Sequence, residues 1–148
     1  MSWKILRPQI ATLLDTLETI QEVSKVPKIK FGGYPACHIV PSENSGDYET
    51  TSENIRTYSF ITRIFYDVKD TDMEEAFLAL EEVTDSVIDL FDQEDQKGST
   101  NRLVGINLPA NYTFLNIFAT PGRWGELQED QLIMSEITIS IRISVDIS

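Results

Sequence analysis

Gln131 to Ser148, QLIMSEITISIRISVDIS, constrains the fold more than any other stretch of the chain. From Ile133 every second residue is aliphatic (Ile137, Ile139, Ile141, Ile143, Val145, Ile147), and only Ser135 interrupts the series. Thr138, Ser140, Arg142, Ser144 and Asp146 take the alternate positions. A period of two with β-branched residues on one side specifies a long strand with one buried and one wetted face. A strand this regular at a chain end, where chains otherwise fray, is expected to be paired well inside a sheet.

The rest of the chain must supply its partners. In Asn54 to Val68, Tyr58, Phe60, Ile64, Tyr66 and Val68 alternate on one face, while Ile55, Ile61 and Phe65 lie among polar residues on the other. That second face is too apolar for free solvent and is expected to be partly covered by another element or another chain. Arg102 to Leu108 and Tyr112 to Ala119 read as two further strands. Val26 to Phe31 and Ala36 to Val40 read as a hairpin about the Gly32-Gly33-Tyr34-Pro35 turn. Ser42 to Glu53 and Thr120 to Asp130 are polar and turn-rich, and read as long surface loops.

Two helices complete the pattern. Ser2 to Val23 carries Trp3, Leu6, Ile10, Leu13, Leu14, Leu17 and Ile20 at helical spacing, with Pro8 marking where the regular helix is expected to begin. Asp70 to Asp92 carries Met73, Phe77, Leu80, Val83, Val87, Leu90 and Phe91 at spacings of three and four, after a Thr71–Glu74 capping box. Its other side presents Glu75, Glu82, Asp85, Asp89 and Asp92, a solvated face or one that meets a partner. Carboxylates near a helix C-terminus oppose the helix dipole by about a few tenths of a kcal/mol each. The order of elements predicts an α+β fold: a single antiparallel β-sheet with two amphipathic helices packed mainly on one face.

With 148 residues, of which 41% are hydrophobic, the chain is expected to form one domain over 1–148 without help from disulfides or metal. Cys37 is its only cysteine and His38 its only histidine. Adjacent strand residues point to opposite faces, so the two are not expected to act as a pair. A buried thiol and a structural histidine are the expectations. The N-terminal segment mixes Lys4, Arg7, Asp15 and Glu18 into its apolar residues, unlike a signal peptide, and no run suits a membrane span of about 20 residues. A soluble, unexported protein with no membrane contact is expected. The formal charge of −12, from 24 acidic and 12 basic residues, disfavours attraction to nucleic-acid phosphates.

No nucleotide-binding glycine fingerprint, P-loop, nucleophile elbow or metal-ligand spacing occurs, so an enzyme is not expected, nor a cofactor. The candidate positions are instead those of an interface. Trp124, set between glycines in a polar loop, is either an interface anchor or folded back onto its own sheet, and Arg123, Ile55, Ile61, Phe65 and Tyr48 are the further interface candidates. Glu75, Glu82, Asp85, Asp89 and Asp92 form the candidate acidic face.

The N-terminal amphipathic helix, YSFITRIFYDV followed directly by the acidic-faced MEEAFLALEEVTDSVIDLF, and the late DQLIMSEITISIRISVDI strand together resemble the tail terminator (tail-completion, tail-to-head joining) proteins of long-tailed bacteriophages. The likeness covers nearly the whole chain and lies in length, element order and texture rather than in an invariant motif. It implies a structural virion protein of the tail or neck, assembled in the host cytoplasm. Such a protein forms a hexameric ring on the tail tube protein, stops its polymerisation and offers a surface to the head-side connector. DNA would pass the acidic lumen without specific binding, and there are no catalytic residues to carry over. Two other readings stand beside it: another neck, connector or tail-tube component, and a soluble acidic adaptor or inhibitor domain that binds a basic protein partner.

Overall fold

A computed structural model describes residues 2–28, 30–48, 53–68, 72–91, 108, 110–127 and 131–146, with backbone alone at 2, 43–48, 53–54 and 127. The elements follow in the order α1 (Ser2–Leu14), β1 (Glu22–Ser24), β2 (Ala36–Tyr48), β3 (Glu53–Asp67), α2 (Met73–Phe91), β4 (Tyr112–Leu127) and β5 (Leu132–Asp146). They form a five-stranded sheet of order β1-β2-β3-β5-β4. The fold is α+β, as its sequence pattern predicts. The sheet is mixed rather than purely antiparallel, because the short β1 runs parallel to β2 while every other pair is antiparallel.

β5 sits between β3 and β4, and its aliphatic series faces a helical layer. Ile133, Ile137, Ile139, Ile141 and Ile143 are fully buried. α2 lies over β3, β5 and β4, and α1 over β1, β2 and β3. Leu6, Ile10 and Leu14 of α1 and Ala76, Leu80, Val83, Val87 and Phe91 of α2 meet the strand residues in one cluster. Trp3 caps this core at one end, edge-on to Tyr58 and Phe60 with ring centroids 5.1 and 5.0 Å away.

Ser135, the one break in the β5 series, has a partner in α2. The Thr84 hydroxyl donates to the Leu80 carbonyl at 2.6 Å, and the Ser135 oxygen lies 2.7 Å from the Thr84 oxygen. The single Thr84 proton is committed to Leu80, so Ser135 is the donor between the two side chains. Both are buried. Thr62, on the core face of β3 and paired in register with Ile137, differs: its hydroxyl is buried with no hydrogen-bond partner.

Several expectations are corrected. α1 ends at Leu14, nine residues short of Val23, and passes through Pro8 instead of starting there. Beyond Leu14 the chain tightens into turns, with the amides of Thr16, Leu17 and Ile20 bonding the third carbonyl back. Leu17 and Ile20 still reach the core from these turns, which is why the apolar spacing outlasts the helix. The hairpin at 26–40 does not form. Instead Glu22 of β1 takes Lys28 as an ion pair and the Gly32 amide at 2.8 Å, folding this segment against the sheet. The polar stretches 42–53 and 120–130 are largely strand: β2 runs on to Tyr48, β3 starts at Glu53, and β4 runs on to Leu127. β4 is bulged between Phe114 and Asn116 and between Pro121 and Trp124. Gly122 at the second bulge lies where a Cβ would meet the Glu136 carbonyl oxygen at 3.1 Å. Of the strand expected at 102–108 only Leu108 is described. Thr71 of the capping box lies outside the described residues. The Asp72 carbonyl accepts from the Ala76 amide at 2.9 Å and starts α2.

Two stability outcomes follow from this layering. Ile141→Asp should abolish cooperative unfolding, since it places a carboxylate in the centre of the core, whereas Arg142→Glu should leave a folded protein; circular dichroism with urea titration separates them. Thr62→Val should stabilise by about 0.5–1 kcal/mol, because it removes a hydroxyl desolvated without compensation. A lower urea midpoint for that variant would contradict the assignment.

Candidate functional site

The face of the sheet away from the helices carries a line of side chains across four strands. His38 of β2 is opposite Arg63 of β3, and Arg63 is opposite Glu136 of β5. The Arg63 Nε donates to Glu136 Oε2 at 2.7 Å, and Arg123 at the β4 bulge reaches Glu136 Oε1 at 3.4 Å. Burial pushes the Glu136 carboxyl up, but the two guanidinium groups outweigh it and hold the carboxyl below its ordinary range. Nearby, Ser59 and Ser140 are joined at 3.1 Å.

His38 is nearly buried and its ring meets Phe65 edge-on at 5.0 Å. Its Nδ1 is 2.7 Å from the Lys28 carbonyl, and its Nε2 is 3.5 Å from Arg63 Nη1. A proton on Nδ1 lets it donate to the Lys28 carbonyl and leaves Nε2 to accept from Arg63, whereas a bare Nδ1 accepts from the Lys28 amide at 2.9 Å. Burial and the Arg63 charge lower the His38 pKa, against the Lys28 carbonyl, which raises it. Cys37, one residue away, faces the core, where burial chiefly pushes its thiol up to about 12. The two side chains diverge as their strand positions require, and the histidine ties residues 28–38 to the sheet.

The candidate interface residues separate into three groups. Phe65 is 2% exposed, because Phe31 from the segment after β1 lies 5.6 Å from its ring; it is closed to a partner by its own chain. Ile55 and Ile61 are half-buried on the uncovered face. Tyr48 ends β2, and its side chain is outside the described residues. Trp124 is 45% exposed and Arg123 is exposed on β4, as an interface requires. Two neighbours were missed: Leu115, 41% exposed at the first β4 bulge, and Phe118, 40% exposed. The available signal was the alternation through Tyr112 to Ala119, which leaves both faces apolar. Among the described residues β4 pairs only with β5, and it carries three of the six exposed large hydrophobic side chains. Exposed apolar side chains grouped on one strand favour association.

Glu75, Glu82, Asp85 and Asp89 are all exposed on the outer side of α2, joined by Glu74 and Glu81, with Leu78 58% exposed among them. Asp92 lies outside the described residues. Among the described residues, exposed apolar and acidic side chains are thus concentrated on β4 and on the outside of α2.

This fold occurs in a virus-like particle. A chain solved within the "Virion of native gene transfer agent (GTA) particle" matches with a TM-score of 0.54 and 11% sequence identity, over 96% of this chain and 93% of that one. In all, 28 chains of solved structures match. No family model matches, and no curated protein does. The likeness is therefore one of fold, carried by the arrangement of sheet and helices rather than by shared residues.

The histidine sets a pH dependence of stability. Its folded pKa lies below the unfolded value of about 6.5, so the unfolded chain takes up this proton first as pH falls. Its contribution is complete above about pH 6.5 and is lost on acidification towards the folded value. His38→Gln should flatten the fall in urea midpoint between about pH 7.5 and about pH 5.5. An unchanged slope would remove His38 as the cause. Glu136 does not interfere, because a carboxyl with lowered pKa loses its contribution only below about pH 4.5.

Proposed function

We propose that this protein is a non-catalytic structural component of a virion, a tail terminator that assembles as a hexameric ring, caps the tail tube and meets the head-side connector. The observation that carries the reading is the likeness, over nearly the full length of both chains, to a chain of the gene transfer agent virion. The exposed apolar residues of β4 and the half-buried Ile55 and Ile61 support assembly, since they give the sheet an edge and a face suited to neighbouring copies. The charge of −12 suits a ring that DNA must traverse without adhering. Carboxylates repel phosphates within roughly one Debye length, about 8 Å at physiological salt.

Negative-stain microscopy tests this directly. The purified protein, alone or mixed with isolated tail tubes, should give six-fold rings that cap one end of the tube. Trp124→Ala combined with Phe118→Ser should leave the monomer folded and weaken ring formation at least about tenfold, as loss of interface anchors does. Tubes of normal length made without this protein would sink the terminator reading. Capped tubes lacking six-fold symmetry would move it to another neck or connector role. Recovery of a basic protein by a chain that never forms rings would favour the acidic adaptor.

A further inference from the structure

Charge is unevenly divided between the two helices. Lys4 and Arg7 of α1 and Lys25, just beyond β1, line an open cleft of about 360 Å³ together with Trp3 and Pro8. None of these three cations has an acidic partner among the described residues, and the neighbouring Lys28 is taken by Glu22. The Arg7 Nε is buried with no hydrogen-bond partner. In a chain with twice as many acidic as basic residues, this is a local excess of uncompensated positive charge.

α2 is its opposite. Met73–Phe91 contains no Lys or Arg, and Glu74, Glu75, Glu81, Glu82, Asp85 and Asp89 are exposed around Leu78. Glu81, Asp85 and Asp89 follow one another at i, i+4, a spacing at which like charges destabilise a helix, and α2 has no basic residue in its last turn to meet its dipole. A cationic surface outside the helix would relieve both. The cleft of the same chain cannot supply it, because α1 belongs to the β1–β2–β3 half of the sheet and α2 to the β3–β5–β4 half.

We propose that the acidic outer face of α2 of one copy seats in the α1–Lys25 cleft of the next. Leu78 packs against Trp3 and Pro8, and Glu82 and Asp85 face the cations. The two patches differ and lie on different halves of the sheet, so the contact is head-to-tail, the type that closes into a ring when its rotation allows. This rests on the ring-forming reading above and assigns its subunit contact. It also places these carboxylates between copies rather than on a DNA-facing lumen.

Two full-length variants test it: Lys4→Glu with Lys25→Glu, and Glu82→Lys with Asp85→Lys. Circular dichroism should show both folded. In sedimentation velocity each alone should associate at least about tenfold more weakly than the wild type, because like charges now meet. An equimolar mixture should recover assembly in rings of even copy number, since each variant's helix then matches the other's cleft. Wild-type association should also weaken as salt rises from about 0.01 M to about 1 M, over which the Debye length falls from about 30 Å to about 3 Å. Assembly of either variant at wild-type strength overturns the contact while leaving the ring reading intact, as does a mixture that fails to recover. So does a helix variant that forms normal rings and gains affinity for duplex DNA, which would put α2 on the lumen. Should either reversal fail to fold, the charge-neutral pairs Lys4→Gln with Lys25→Gln and Glu82→Gln with Asp85→Gln take its place, with the same expected weakening and the same overturning result. A wild-type protein that never self-associates, with or without tail tubes, fails the ring reading itself.

Discussion

Burial of the aliphatic face of β5 between β3 and β4, beneath α2, is the contact on which the other elements depend. Each of its isoleucines removes enough apolar surface from water to stabilise by about 1.5–3 kcal/mol relative to an exposed position. The two neighbouring ladders are thereby held in register, because a slip of one residue would turn the whole series towards solvent and Thr138, Arg142 and Ser144 into the core. The interior position of β5 also leaves β4 at the edge. The same placement that completes the core thus leaves Leu115, Phe118 and Trp124 exposed on a strand with one neighbour among the described residues.

The helices cover one side of the sheet only, so the other side must be made compatible with partial exposure by different means. Glu136 does this at the centre. It is nearly buried, yet its two oxygens receive Arg63 and Arg123, and hydrogen bonds to a charged group contribute roughly 1.5–3 kcal/mol each when well formed and less when a partner is exposed. Arg63 in turn lies against His38, whose other nitrogen holds the Lys28 carbonyl. Phe31 then closes over Phe65. The His38–Phe65 end of this face is in this way covered by Lys28 and Phe31 of the same chain, while Ile55 and Ile61 further along β3 stay partly exposed.

The parts of this arrangement that are legible in the sequence are those in which side-chain burial dictates the backbone. β5, the first half of β4, β3 and α2 show their periods because one face of each packs against something. Ser135 looked like a defect in that pattern and is a hydrogen bond to Thr84, a pairing across 51 residues that no local spacing reveals. The segment from Asp15 to Pro35 misled because Leu17 and Ile20 satisfy a helical period from turns, and Val23 from a three-residue strand. The outer parts of β2, β3 and β4 misled for the opposite reason. Their ladder runs through residues such as Ser45, Gly46 and Thr120, where the sequence shows no alternation of apolar and polar types. Among the site residues Trp124 was visible as an apolar side chain in polar surroundings. The covering of Phe65 was not, since it depends on where Phe31 returns to the sheet.

The distribution of what remains exposed bears on the proposed subunit contact. A two-fold dimer presents the same patch to itself, so one built on the outside of α2 would set the six exposed carboxylates between Glu74 and Asp89 against an identical six. A dimer built on the α1 cleft would oppose Lys4, Arg7 and Lys25 to their own copies. Like charges brought together and desolvated disfavour both arrangements, whereas the acidic and basic surfaces joined to each other neutralise and leave one of each free for the next copy. Repetition of such a contact closes into a ring when its rotation allows and otherwise runs on as a filament. Unlike margins on a one-sided sheet thus favour the proposed head-to-tail contact over a two-fold pair.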